Sequence, residues 1–310
     1  MIWMPLVLAG LLPVVLSALG AWLGPRRPWL TVLGVGLALG CGLGSAITPA
    51  WPVREVLQWL PLALVVVLVL GLIEVRELGP LALRIAITTV VSVVVTHSLL
   101  KPILSRWSDL HVIGLLLGVA AVVGHLLTWG RRSVGRDGLG TLLGLCLVGA
   151  ASSGVTFLSG SARNAQLIGG WLATVGGLTL VSMAWRTVGA SGGGWLGKRL
   201  GAASWLTAVA AKLGADVAAR SERLRGPLVL LLPVISWLLL AGAYVPVPWP
   251  TLGCLAAGLV LAVSLPALGK GSETMSSRLG RLVLTALPLV VAVVLAWQAS
   301  SAADEGGLPY

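Results

Sequence analysis

Ten stretches of this chain are almost wholly apolar. Each is close to the roughly 20 residues a helix needs to cross the hydrocarbon core of a bilayer. They run at 2–23, 29–48, 55–73, 78–100, 110–129, 139–159, 165–186, 227–246, 250–268 and 279–299. No water is available in hydrocarbon, so segments of this kind must satisfy their backbone groups internally, as helices or as a closed barrel. Barrel strands are short and alternate in polarity, which these runs do not. Composition decides one further point. Only 10% of the residues are charged and 57% are hydrophobic, against about 25% charged in soluble chains. A soluble fold would lack the polar surface to cover itself. The expectation is an all-α, polytopic integral membrane helix bundle of about ten transmembrane helices. It forms one transmembrane domain over 1–300, with a polar, acidic and flexible tail over 301–310.

The loops carry the orientation. The run 2–23 lacks a basic region before it and is followed by Arg26 and Arg27, so it reads as a retained helix whose amino terminus lies outside. Alternating from there puts most of the 21 Lys and Arg residues on the cytoplasmic side. Only Arg54, Lys101, Arg106 and Arg163 fall outside, and the positive-inside rule selects this orientation over its reverse. Both termini are then extracytoplasmic, in the cytoplasmic (inner) membrane of a bacterium. The net charge of +11 sits in these short loops. It reads as a topology signal and as contact with anionic lipid, not as a nucleic-acid surface.

One connection is long. Between the seventh and eighth runs, a segment at about 195–225 places Leu206, Val209, Leu213 and Val217 at helical spacing. Lys212, Asp216 and Arg223 fall beside them. This pattern is expected of a basic amphipathic helix lying on the cytoplasmic membrane surface, because charges at mid-depth are costly.

Side-chain chemistry inside the runs is sparse. Most tryptophans, among them Trp22, Trp29, Trp107, Trp129, Trp249 and Trp297, fall at run ends, as an interfacial belt requires. Gly36, Gly40 and Gly44 share a helix face, as do Gly114 and Gly118. Small residues four apart allow close helix packing, within the bundle or in a homodimer. Cys41, Cys146 and Cys254 are isolated thiols inside apolar runs, with no disulfide or metal spacing.

The most pointed feature is the stretch 84–97. Arg84, Thr88, Ser92 and Thr96 recur every four residues and form a polar stripe on the fourth helix. Such a stripe is expected to face protein or a cavity, not lipid. Arg84 is expected about two turns inside the cytoplasmic end. Glu77, seven residues earlier on nearly the same face, is its first candidate ion-pair partner and Glu74 its second. Arg84 then either snorkels to the interface or lines a pathway and offers its fork to an anionic ligand.

The three histidines are His97, His111 and His125. His97 and His111 flank one outer loop, which leaves a haem held between them as a remote alternative. The ten acids are scattered, and each falls at a run end or in a loop. Neither a cation site nor HExxH zinc spacing is present, and the serines at 152–161 have no base near them in sequence. The chain therefore reads as non-enzymatic, with no resident cofactor or metal. Ten spans, kinking prolines and one polar stripe suggest a small-molecule transporter or permease. The alternative is a non-catalytic scaffold or assembly subunit of a larger complex with a membrane protein partner. A cavity of ligand size along Arg84, Thr88 and Ser92 favours the first, and a sealed stripe the second.

Overall fold

The computed structural model describes residues 7–24, 27–47, 56–190, 224–241, 247–268 and 275–305. All regular structure among them is helical, without strands. Six helices are long and apolar enough to cross a membrane: Pro28–Ala46, Leu81–Leu104, Asp109–Leu158, Ala162–Ala184, Trp249–Leu268 and Ser276–Ser301. Three shorter apolar helices, Val7–Leu23, Trp59–Val75 and Gly226–Leu240, lie among them. Of the amphipathic segment expected at about 195–225, all but the last two residues lie outside the described residues.

We number the helices α1 (Leu12–Leu23, entered through a π-helical turn at Val7–Leu11), α2 (Pro28–Ala46), α3 (Trp59–Val75), α4 (Leu81–Leu104), α5 (Asp109–Leu158), α6 (Ala162–Ala190), α7 (Arg225–Ala241), α8 (Trp249–Leu268) and α9 (Met275–Glu305). Local chemistry sets several boundaries. Proline opens α2 at its first position, where a missing N–H costs nothing. The chain before α4 passes through Gly79 at φ 79° and an extended Pro80, so the helix starts at Leu81, not at 78. Helix α9 continues to Glu305, beyond the expected end of the span.

The expected helices at 110–129 and 139–159 form one assigned segment, α5, interrupted by non-helical backbone at Asp137 (φ −143°, ψ 76°). The break is sharp. Ser133 and Thr141 are joined by a hydroxyl hydrogen bond, whereas eight residues of straight helix would separate them by about 12 Å. The two arms also share a neighbour: Gly130 faces Val263 and Gly144 faces Ala262, both on α8. Residues 130–136 were expected to form a loop because they hold Arg131, Arg132 and Arg136. They are helical instead, since a helix end tolerates charges that can reach polar partners.

Helix α7 occupies the centre. It packs against α2, α3, α4, α5, α6 and α8, and Leu228, Leu230, Leu231, Leu232, Ile235 and Trp237 are all at most 2% exposed. A helix that is apolar all round is suited to burial on every side. The Trp171 indole on α6 donates to the Leu231 carbonyl on α7 at 3.0 Å, so this large ring is buried with its polar atom satisfied. Two crossings depend on glycine. A Cβ on Gly20 would lie 2.8 Å from Gly34 Cα, and one on Gly42 3.1 Å from Gly170 Cα, so α1 meets α2 and α2 meets α6 backbone to backbone.

The outer surface is also apolar. Leu83, Ile87, Val90 and Val94 of α4, and Leu279, Val283, Leu287 and Val290 of α9, are all exposed. Faces this long and this hydrophobic suit contact with lipid chains rather than water.

Candidate functional site: two buried carboxylates at one end of the bundle

Helices α3 and α8 end, and α4 and α9 begin, at the end of the bundle where α5 bends. Two acid–arginine clusters form there.

The first is built on Glu74, one residue before the end of α3 and 5% exposed. Its Oε2 forms an ion pair with Arg84 Nη1 at 3.3 Å and accepts a close hydrogen bond from Arg131 Nη2. Arg84 comes from the first turn of α4, and Arg131 from the end of the first α5 arm. Arg84 Nη1 also donates to the Glu74 carbonyl at 3.1 Å. That oxygen belongs to the last turn of α3, where carbonyls lack intrahelical partners and the helix dipole favours a cation. One side chain thus neutralises the carboxylate and caps the helix that carries it. A lone buried carboxylate would be very costly, and the guanidinium forks make this position tenable.

The expected partner Glu77 is elsewhere. Its φ of 51° is left-handed. The Glu77 N–H donates to the Glu74 carbonyl at 3.1 Å and the Leu78 N–H to the Ile73 carbonyl at 3.2 Å. This is a Schellman closure of α3, with Glu where glycine is usual. The seven-residue spacing to Arg84 assumed one continuous helix, and this turn breaks it. Glu77 is left exposed, and Arg84 sits in a first turn, shallower than expected.

The polar stripe above Arg84 faces inward. Thr88 is 3% exposed, and Ser92 and Thr96 are fully buried. Thr88 Oγ1 donates to the Arg84 carbonyl at 2.9 Å, and Ser92 Oγ to the Thr88 carbonyl at 2.8 Å. These hydroxyls are satisfied by their own helix, four residues back. Thr96 Oγ1 has no hydrogen-bond partner among the described residues. Helices α3, α5 and α7 pack against α4. The stripe lines neither the small cavity beside Asp137 nor the groove between α2 and α3.

The second cluster was not anticipated. Asp137, at the α5 break, is 1% exposed. Its Oδ2 accepts Arg278 Nε at 3.1 Å and lies 4.0 Å from Arg281 Nη1, both on the first turns of α9. Its Oδ1 accepts the Gly140 N–H at 3.0 Å, so Asp137 is the N-cap of the second α5 arm. The neighbouring Arg136 donates to the Ala267 carbonyl at the end of α8. A cavity of about 10 Å³ adjoins the cluster, lined in part by Asp137, Arg278, Arg281 and Thr285, no more than one water can use. The sequence signal was "RDGLG" at 136–140: an Asp three residues before the N–H it caps, with a glycine at 140 where its carboxylate needs room. Glu74 and Asp137 do lie at a run end and between two runs, as the sequence places them, yet both are buried. Paired arginines are the physical reason that they can be buried.

The remaining candidates lie apart. His97 is exposed on α4. His111 Nδ1 is 2.6 Å from Ser108 Oγ, and its ring stands edge-on to Trp107. His125 Nε2 is 2.9 Å from Ser264 Oγ on α8, and its ring stacks on Trp129. Among the described residues no group of three His, Cys, Asp or Glu side chains is placed to hold a metal ion. Of the glycines, Gly36 is approached by Leu68 and Gly40 by Leu64. Gly44, Gly114 and Gly118 face open space among the described residues.

By the length and apolarity of its helices, the fold is that of a multi-pass helical membrane protein. No family model, curated protein or solved structure matches the chain.

Proposed function

We propose that this chain is a non-catalytic membrane scaffold, a rigid subunit or assembly factor that crosses a bacterial inner membrane ten times. The ten crossings count both arms of α5 and the three shorter helices. The end holding Glu74 and Asp137 faces the cytoplasm, and Val7 and Glu305 face outward. The sealed stripe carries this reading over that of a carrier. Ser92 and Thr96 are fully buried, and the Thr88 and Ser92 hydroxyls are spent on their own helix. A pathway for a polar solute needs such groups open to water or ligand. The clusters add a second reason. Each joins a buried carboxylate to arginines from other helices or other parts of the chain, as a rigid bundle requires.

Cysteine labelling tests the reading. Cys41, Cys146 and Cys254 are replaced, and Ser92→Cys is introduced alone in the bilayer-embedded protein. The scaffold predicts that a water-borne maleimide leaves it unmodified until the protein is denatured. Rapid labelling from either aqueous side would replace the scaffold by the transporter or permease reading.

A further inference from the structure

Helices α2 and α3 run antiparallel and do not close evenly. On the inner side they meet α7: a Cβ built on Gly71 would lie 3.1 Å from Val32 and 2.9 Å from Leu230. Further along, Gly36 is tight against Leu68. On the outer side, near the charged end, the helices part and leave a groove of about 300 Å³. Trp29 and Leu33 of α2 form one wall, and Val69, Leu72 and Ile73 of α3 the other. Both walls are apolar, and the charged end of the groove is basic. Arg76, the C-cap residue of α3, is itself part of the lining. Arg27, the N-cap residue of α2, stands two residues before Trp29 at the same end. Both arginines are exposed, and neither has an ion-pair partner among the described residues. The two acids near Arg76 in sequence do not occupy the groove. Glu74 is committed to Arg84 and Arg131, and Glu77 lies outside the lining. Trp29, in the first turn of α2, marks headgroup depth.

We infer that this groove binds an anionic diacyl phospholipid of the phosphatidylglycerol type. One acyl chain lies between Leu33 and Val69, and the phosphate meets Arg76 and Arg27. The apolar walls accept any acyl chain, so they do not choose among lipids. The rim does. Each guanidinium can meet a phosphate with paired N–H donors. The lining holds no carboxylate that would bind the ammonium of a zwitterionic lipid. A headgroup that keeps its net negative charge therefore gains most from two arginines. The inference rests on the bilayer reading, but neither on the scaffold role nor on which leaflet the groove faces.

The test uses the full chain in nanodiscs of equal phosphatidylglycerol and phosphatidylethanolamine. The protein is released into mild detergent, and the last lipid to stay bound is identified by native mass spectrometry. We expect phosphatidylglycerol to be retained about three- to tenfold over phosphatidylethanolamine, the size of one or two exposed ion pairs. Arg76→Gln lowers that preference, and Arg27→Gln with Arg76→Gln brings it near parity. Val69→Trp, which fills the groove and keeps both arginines, lowers it as far. Arg132→Gln removes an equal charge from an exposed residue of α5 outside the lining and leaves the preference unchanged. Equal retention of the two lipids by the unaltered protein overturns the inference, and this comparison needs no variant to fold. A loss in Arg132→Gln as large as in Arg76→Gln also overturns it, because net charge and not the groove would then hold the lipid. So does an unchanged preference in a Val69→Trp protein of native helicity. A chain that does not enter nanodiscs at all overturns the bilayer reading, and the inference with it.

Discussion

The Glu74 and Asp137 clusters have the same parts and different work. Each places a buried carboxylate between two arginines at one end of the bundle. Glu74 lies near the end of an intact helix, and its cluster joins three helices already formed by their own backbones. Asp137 lies at the break itself. Its carboxylate holds Arg278 and caps the second α5 arm through Gly140, and its carbonyl accepts the Thr141 hydroxyl at 2.9 Å. The first cluster fastens helices, and the second also makes the bend that lets α5 fold back. Exposure follows the same order: the Asp137 side chain is 0% exposed and that of Glu74 4%. A carboxylate that shapes backbone as well as neutralising charge should be the harder one to lose.

Substitutions can break this contrast. Asp137→Ala should have the largest effect, about 3–5 kcal/mol of unfolding free energy in detergent, because it removes a buried carboxylate that both pairs with Arg278 and caps a helix. Asp137→Asn should fall well short of that, since an amide oxygen still caps Gly140, and the gap between the two variants measures the cap. Glu74→Gln should cost about 1.5–3 kcal/mol. If Glu74→Gln proves as damaging as Asp137→Ala, the distinction between fastening and bending is wrong. Gly140→Ala should cost about 1–2 kcal/mol, because the new Cβ would lie 2.1 Å from Asp137 Oδ2 and push the carboxylate off its cap. The smallest effect is expected at Glu77→Gly. It relieves a left-handed non-glycine residue and should raise stability by about 1 kcal/mol or less. Any loss there would show that Glu77 supports the Glu74 cluster after all.

The apolar runs made the helical class and most element positions legible, because a bilayer leaves little choice of secondary structure. The bend in α5 was legible only as two helices with a basic loop. That the arginines continue the helix, and that one Asp breaks it, depends on partners from α3, α8 and α9 far along the chain. The four-residue spacing showed the polar stripe of Arg84, Thr88, Ser92 and Thr96, and burial decides which way it faces. Spacing misled at Glu77, since the Gly79–Pro80 turn interrupts the helix on which that spacing relied. The central place of α7 was hidden as well. An all-apolar helix reads alike whether lipid or protein surrounds it.

The central claim is that the bundle is held in one arrangement, with the α5 bend locked by Asp137. Spin labels at Val122 and Leu147, one on each arm of α5 and both part-exposed at 38% and 36%, address it directly in a background without native cysteines. Pulsed electron–electron resonance in bilayers should give one narrow distance distribution, as a rigid scaffold requires. Two populations, or one broad distribution, would show that the arms move about Asp137 and would contradict it.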